Sequence, residues 1–336
     1  MPFQDTINKA AIRQQWDLRI LEDWCRVFGC HLTYLGLPGP ELRDLLDWRT
    51  VLDRRRTGIE SPGRSKKERD QADETMGRLL MNALAHDISS GFELLVSDVE
   101  DVIIDGHDIK GKVPQLSNGQ APHLARFSYD LVNLDFDGGL GYKSIRAHGA
   151  AKRIKALKKL FERQEGHSFI LLLTINVRHK LGEEIQEYLG NLKTRDPGAG
   201  WSEMVSWCLN RGDGELEYQL KAIVPSFIQA AAELHMFRSI CRPPIVYNGH
   251  EHARMLHFVF ELRRQPGNLR AFGQQDDRDL VELPLLTCEG GQLQLAATQH
   301  PNFTIQQAQQ HLSFLPTPLI EQILGVATST IETCDE

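Results

Sequence analysis

Between Ser168 and Ile175 the chain reads Ser-Phe-Ile-Leu-Leu-Leu-Thr-Ile, an almost unbroken apolar run of strand length. Such a run is stable where both faces of a sheet are covered, the usual situation in parallel sheets flanked by helices. The surrounding pattern agrees. Tyr129 to Asp135 is a second clear strand, and His31 to Leu35, Thr57 to Glu60 and Phe92 to Val96 are shorter ones. Ile245 to Asn248 and Met255 to Arg263 follow near the end of the series. Helical spacing fills the intervals at about 41–46, 71–87, 143–164, 179–192 and 221–236. Strands alternating with helices of this length predict βαβ units, a mostly parallel sheet and right-handed crossovers.

Two flanking regions have a different character. Ile7, Ala11, Ile12, Trp16, Ile20, Trp24 and Val27 recur at three- and four-residue spacing, so 5–29 reads as one amphipathic helix stopped by Gly29. From about Gln265 the composition shifts toward Gln, Pro and Gly, and Thr304 to Gly325 reads as two short packed helices. The expected organisation is an N-terminal helix over 1–30, a Rossmann-like α/β domain over 31–263 and a small appendage over 264–336.

Composition removes several function classes. Hydrophobic residues make up 41% and charged residues 25%, ordinary proportions for a globular chain, which excludes collagen-like and wholly disordered readings. The formal net charge of −7 argues against a protein that simply coats nucleic acid. No stretch approaches the roughly 18 apolar residues needed to cross a bilayer, so no membrane partner is expected. Met1-Pro2-Phe3-Gln4-Asp5 shows no export pattern. Cys25, Cys30, Cys208, Cys241, Cys288 and Cys334 are scattered, which fits reduced thiols and a cytoplasmic location.

In an open parallel sheet, ligands bind beyond the carboxyl ends of the strands. The conspicuous residues of this chain fall there. Gly36 and Gly39 follow the first strand, Glu60 ends the second, Asp98 and Glu100 follow the third, and Asn133, Asp135 and Asp137 close the fourth. Glycines let a nucleoside-bearing ligand approach the backbone. A carboxylate ending strand two can accept both ribose hydroxyls. An acidic group after strand three can take an adenine amino group. Alternating polar residues at the end of a buried strand need partners, which points to function at Asn133, Asp135 and Asp137.

This order resembles the class I S-adenosylmethionine-dependent methyltransferases over about residues 31–263. Gly36-Leu37-Pro38-Gly39 stands where that family has its glycine-rich loop. Thr57 to Glu60 and Ser97 to Val102 look like its acidic endings of strands two and three. Asp130 to Gly138 is similar to the strand-four motif of tRNA guanine dimethyltransferases, with Phe136 in place of the proline and Asp137 in place of the aromatic residue. The resemblance implies a three-layer sandwich with a seven-strand sheet, whose last strand, near 255–263, runs antiparallel between its neighbours. It implies S-adenosylmethionine held by Gly36, Gly39, Glu60, Asp98 and Glu100, with Asn133, Asp135 and Asp137 at the acceptor. The expected activity is methyl transfer to nucleic acid, tRNA or DNA.

The two departures at strand four, and the absence of a third glycine after strand one, support a rival reading. In it the chain is a noncatalytic methyltransferase-fold subunit of a bacterial nucleic-acid-processing or defence complex, with the appendage holding a protein partner or a second copy. A third class is a Mg²⁺-dependent nucleotide enzyme using Asp98, Asp135 and Asp137. Lys143, Arg146, Lys152, Arg153, Lys155, Lys158, Lys159 and Arg163 make a basic helix, read first as a solvated face. The same reading covers Arg54-Arg55-Arg56. His250, His252 and His257, with Glu251, have no matching Cys or Asp cluster, so no metal site is assigned.

Overall fold

In the computed structural model, Phe169–Asn176 forms a strand in which every residue is buried. The structure describes residues 6–61, 66–105, 128–136, 139–140, 148–164, 168–177, 216–250, 253–264, 277–300 and 303–325. Its strands are β1 (Leu32–Gly36), β2 (Leu52–Glu60), β3 (Phe92–Val96), β4 (Leu131–Asp135), β5 (Phe169–Asn176), β6 (Phe237–Cys241), β7 (Ile245–Asn248), β8 (Arg254–Arg264), β9 (Leu286–Glu289) and β10 (Gln292–Leu295). They form one sheet in the order β10-β9-β7-β8-β5-β4-β1-β2-β3, with β6 also paired to β8.

The order decides the fold. β3, β2, β1, β4 and β5 are mutually parallel, and β8 inserts antiparallel beside β5. On its other edge β8 pairs antiparallel with β6 and with β7, so these two strands share one position, divided by Arg242-Pro243-Pro244. Proline cannot donate to a ladder, which is why the pairing breaks there. The seven-strand, mostly parallel arrangement with an antiparallel strand near 255–263 is therefore present. Added to it is the hairpin β9–β10, in which β9 runs parallel to β7.

Helices cover both faces. The first helix comprises α1 (Ile7–Ala11), a π-helical stretch over Ile12–Asp17, and α2 (Leu18–Phe28), which ends at Gly29 with φ of 64°. Further elements are α3 (Arg43–Asp47), α4 (Lys66–Ala85), α5 (Val99–Asp105), α6 (His148–Arg163), α7 (Leu216–Glu233), α8 (Asp277–Glu282), α9 (Ile305–Leu312) and α10 (Thr317–Leu324). Residues of α5, α6 and α7 build the core on one face, against Leu35, Leu134, Leu171, Leu173, Phe258 and Phe260. The first helix with α3, α4, α9 and α10 builds the other, against Leu32, Leu131, Leu172 and Val259. This is the three-layer α/β sandwich the sequence leads one to expect. The helical pattern expected at 179–192 lies outside the described residues, as do Lys143 and Arg146.

Candidate functional site

Strand alternation sends successive side chains to opposite faces, so the residues facing the first helix are fixed by parity. On β4 they are Leu131, Asn133 and Asp135; on β5, Ile170, Leu172 and Thr174; on β8, Met255, His257 and Val259. In each case the apolar members form core and the polar ones fall at the same end of the sheet. The result is a polar layer at the carboxyl ends of β4 and β5, roofed by the first helix.

Asp135 and His257 have partners in that roof, Asn133 has one on α3, and Thr174 is held within the layer by His257. The Lys9 ammonium is ion-paired to Asp135. Asn133 Nδ2 donates to Asp44 Oδ2 at 2.7 Å. Arg13 Nε lies 2.8 Å from Asp47 Oδ2 and 3.6 Å from Asp44 Oδ1. His257 Nε2 and Asp17 Oδ1 are 2.8 Å apart, and His257 Nδ1 lies 2.9 Å from Thr174 Oγ1. A carboxylate only accepts, so Nε2 carries the hydrogen, and with a neutral ring the Thr174 hydroxyl donates to Nδ1. Arg13 and Asp17 both belong to the π-helical stretch, whose wider winding differs from the uniform helix expected over 5–29. Such bulges are frequent at functional sites.

The cleft between roof and layer is lined by these residues, Asp47 excepted, together with Ile12, Trp48 and Tyr247, and with Lys9 in place it encloses about 20 Å³, room for about one water molecule. Its electrostatics follow from burial. Burial pushes Asp44 up to about 6, although Arg13 and Lys9 pull the other way. Burial pulls the Lys9 ammonium down, but Asp135 and Asp44 outweigh it and leave the group above its ordinary value. The Tyr247 hydroxyl is held well above the ordinary tyrosine value by burial and then by Asp135 and Asp17.

The residues expected to hold a cofactor are distributed differently. Glu60 ends β2, half-buried, and its carboxylate makes no hydrogen bond or ion pair with any described residue; burial alone pushes it up to about 7. Gly39 turns the chain after β1 with φ of 62° and open space where a Cβ would stand. Gly36 is a packing position, because a Cβ there would meet the Tyr34 hydroxyl and come within 2.8 Å of the Asn133 carbonyl oxygen. Asp98 accepts from Ser61 Oγ at 2.9 Å and lies 3.7 Å from Lys152. Glu100 pairs with Arg153 at 3.1 Å, and Lys152 pairs with Asp101 at 2.6 Å. The basic face of α6 is thus partly a neutralising partner of the acidic turn after β3. Asp137 lies outside the described residues.

Lys9, Arg13, Asp17 and Asp44 did not stand out in the sequence. Their only signal is indirect. Thr174 and His257 interrupt apolar strands at positions facing the same layer as Asn133 and Asp135, and buried polar groups require partners.

No protein-family profile matches the chain, and no curated protein matches it. Among solved structures, it is similar to a magnesium protoporphyrin IX methyltransferase from Synechocystis, with 10% identity and a TM-score of 0.36 over 78% of this chain and 86% of that one. It is similar to the methyltransferase domain of a bacterial Hen1 at 16% identity and a TM-score of 0.35, over 75% and 98% of the two chains. A mitomycin 7-O-methyltransferase gives 11% and 0.34 over 77% of this chain, which spans about half of that enzyme's length (53%). The fold assignment rests on the strand order, read directly from the hydrogen-bonded ladders.

Proposed function

We propose that the chain is a methyltransferase-type protein that binds S-adenosylmethionine beyond the ends of β1, β2 and β3. The observation that carries the reading is Glu60. A desolvated carboxylate with no partner among the described residues is costly unless donors are supplied, and the two hydroxyls of a ribose supply two. Gly39 leaves room for close approach, and Asp98 stands one strand further on, where an adenine amine would lie. Bound there, S-adenosylmethionine supplies an electrophilic methyl group. The chain's part is to hold the nucleoside on Glu60 and to orient an acceptor at Asn133 and Asp135, since positioning accounts for most of such an acceleration.

A nucleic-acid acceptor, tRNA or DNA, draws on the order of residues from Asn133 to Gly138. The basic face of α6 adds little to it, because Lys152 and Arg153 are taken up by Asp98, Asp101 and Glu100. The pairing of Asp135 with Lys9 and of Asn133 with Asp44 favours the second reading, a noncatalytic subunit, in which these groups serve only to seat the first helix and α3.

Calorimetry with S-adenosylmethionine and its demethylated product tests the first reading. Binding is expected, and Glu60→Ala should weaken it at least about tenfold, because hydrogen bonds to a charged group contribute roughly 1.5–3 kcal/mol each. Absence of binding at millimolar ligand would leave the noncatalytic subunit.

A further inference from the structure

Lys9 reaches into the cleft from the first helix, and its side chain retains 26% exposure while that of Asp135 retains only 9%. Set aside Lys9, and the lining sets Arg13 against three carboxyl groups, Asp17, Asp44 and Asp135. Arg13 is itself held by Asp47 and Asp44, so it does not turn toward Asp135. One more polar group faces the same space. Tyr247 is 4% exposed, lines the cleft, and its hydroxyl makes no hydrogen bond with a described residue. A carboxylate at the end of β4 and a hydroxyl on β7 with no partner among the described residues therefore line one space, which a compact, multiply donating cation suits. The ammonium has three donors and one charge.

We propose that this cleft is a binding site for a primary alkylammonium group, gripped by Asp135 and Tyr247, and that Lys9 fills it when no external amine is present. The proposal rests on the methyltransferase-type reading only for its consequence, which is that the acceptor class is an aliphatic amine instead of a nucleobase amine: the site holds it as the ammonium, which gives up one proton to solvent before its nitrogen has a lone pair to accept a methyl group. An incoming amine reproduces the Lys9–Asp135 ion pair and adds the Tyr247 hydroxyl. The Lys9 side chain, 26% exposed, reaches the cleft from its solvent side and withdraws that way when an external amine takes its place.

The test uses the full chain and n-butylammonium chloride as the probe, with tetramethylammonium chloride at the same concentration as the control. Lys9→Ala vacates the carboxylate. Its thermal midpoint should fall below that of the unsubstituted chain and then rise by about 2–4 °C as n-butylammonium saturates the site, since a ligand that binds only the folded state stabilises it. The unsubstituted chain should respond less, because Lys9 competes. The Lys9→Ala, Asp135→Asn double variant should not respond, and Tyr247→Phe in the Lys9→Ala background should weaken the response. Lys9→Met, which keeps the side-chain stem, repeats the measurement if the alanine variant does not fold. An equal response to tetramethylammonium, an undiminished response in the double variant, or no response in the vacated variants would overturn the proposal. Failure of both single variants to fold would also overturn it, by making Lys9 a structural pin. S-adenosylmethionine affinity, measured separately, reports on the cofactor reading whatever the amine result.

Discussion

Glu60→Gln should stabilise the protein at pH 8 and weaken its ligand binding at the same time. Glu60 is pushed up by burial from an ordinary value of 4.5 to about 7. Its folded state binds a proton more readily than its unfolded state, so stability falls as pH rises from about 4.5 to about 7. The penalty is complete above that range. The difference between the two values corresponds to about 3 kcal/mol of destabilisation by the ionised carboxylate at pH 8. Glutamine keeps the shape and carries no charge, so the variant should gain up to about that amount at pH 8 and nothing near pH 4, where both forms are neutral. Urea unfolding of both proteins at pH 4, 6 and 8, followed by far-ultraviolet circular dichroism, measures this as a shift in midpoint at constant slope. A variant equal to or less stable than the unsubstituted chain at pH 8 would refute the reasoning, since Glu60 would then be well solvated or well paired.

Asp44→Ala should destabilise by about 3–5 kcal/mol in urea unfolding, because it removes one carboxylate from beside the buried Arg13 and the acceptor that the Asn133 amide meets at 2.7 Å. His257→Leu should cost roughly 3 kcal/mol by stranding the Asp17 carboxylate, and Asp17→Leu added to it should cost less than the sum, giving a measurable coupling in a double-mutant cycle. Gly36→Ala forces a methyl group against the Asn133 carbonyl and should cost about 1–3 kcal/mol. Gly39→Ala meets no atom and should cost only the roughly 1 kcal/mol of a left-handed residue, as thermal midpoints will show.

The long strands were legible because their signal is local. β5, β4 and β3 are apolar runs bounded by polar turns, and β8 was placed to within a residue at either end. β6 was not, since Phe237–Cys241 is five residues long and stops at Arg242-Pro243-Pro244, which reads as a turn. β9 and β10 were missed for a related reason. Each has four residues, Gln292 and Gln294 face outward, and the Gly290-Gly291 turn falls in the stretch beyond Gln265 whose Gln, Pro and Gly content carries no strand signal. At the site, Asn133 and Asp135 could be singled out because polar groups ending a buried strand need partners. The partners themselves could not. Asp44 is 89 positions from Asn133 and Lys9 is 126 from Asp135, distances at which no periodicity reports contact. The same holds for the basic helix, whose Lys152 and Arg153 read as a solvated face until α5 is seen packed beside it.

The seat of the first helix also sets an order of events for a chain made from its N-terminus. Asn8 Oδ1 accepts from the Gly291 backbone N–H at 3.0 Å, and Asn8 Nδ2 donates to the Asn248 carbonyl at 3.3 Å, spans of 283 and 240 positions. Residues synthesised early thus obtain part of their binding surface from residues synthesised 240 to 283 positions later. During translation the apolar stripe of Trp16, Ile20 and Leu21 emerges before β7, β9 and β10 exist to help cover its neighbourhood. Non-local closure of this kind is slow, and exposed apolar segments that wait are those on which chaperones and aggregation compete. The polar end of the sheet is consequently among the later parts of the molecule to be completed, and a nascent chain shortened before Leu286 would carry an incompletely covered first helix.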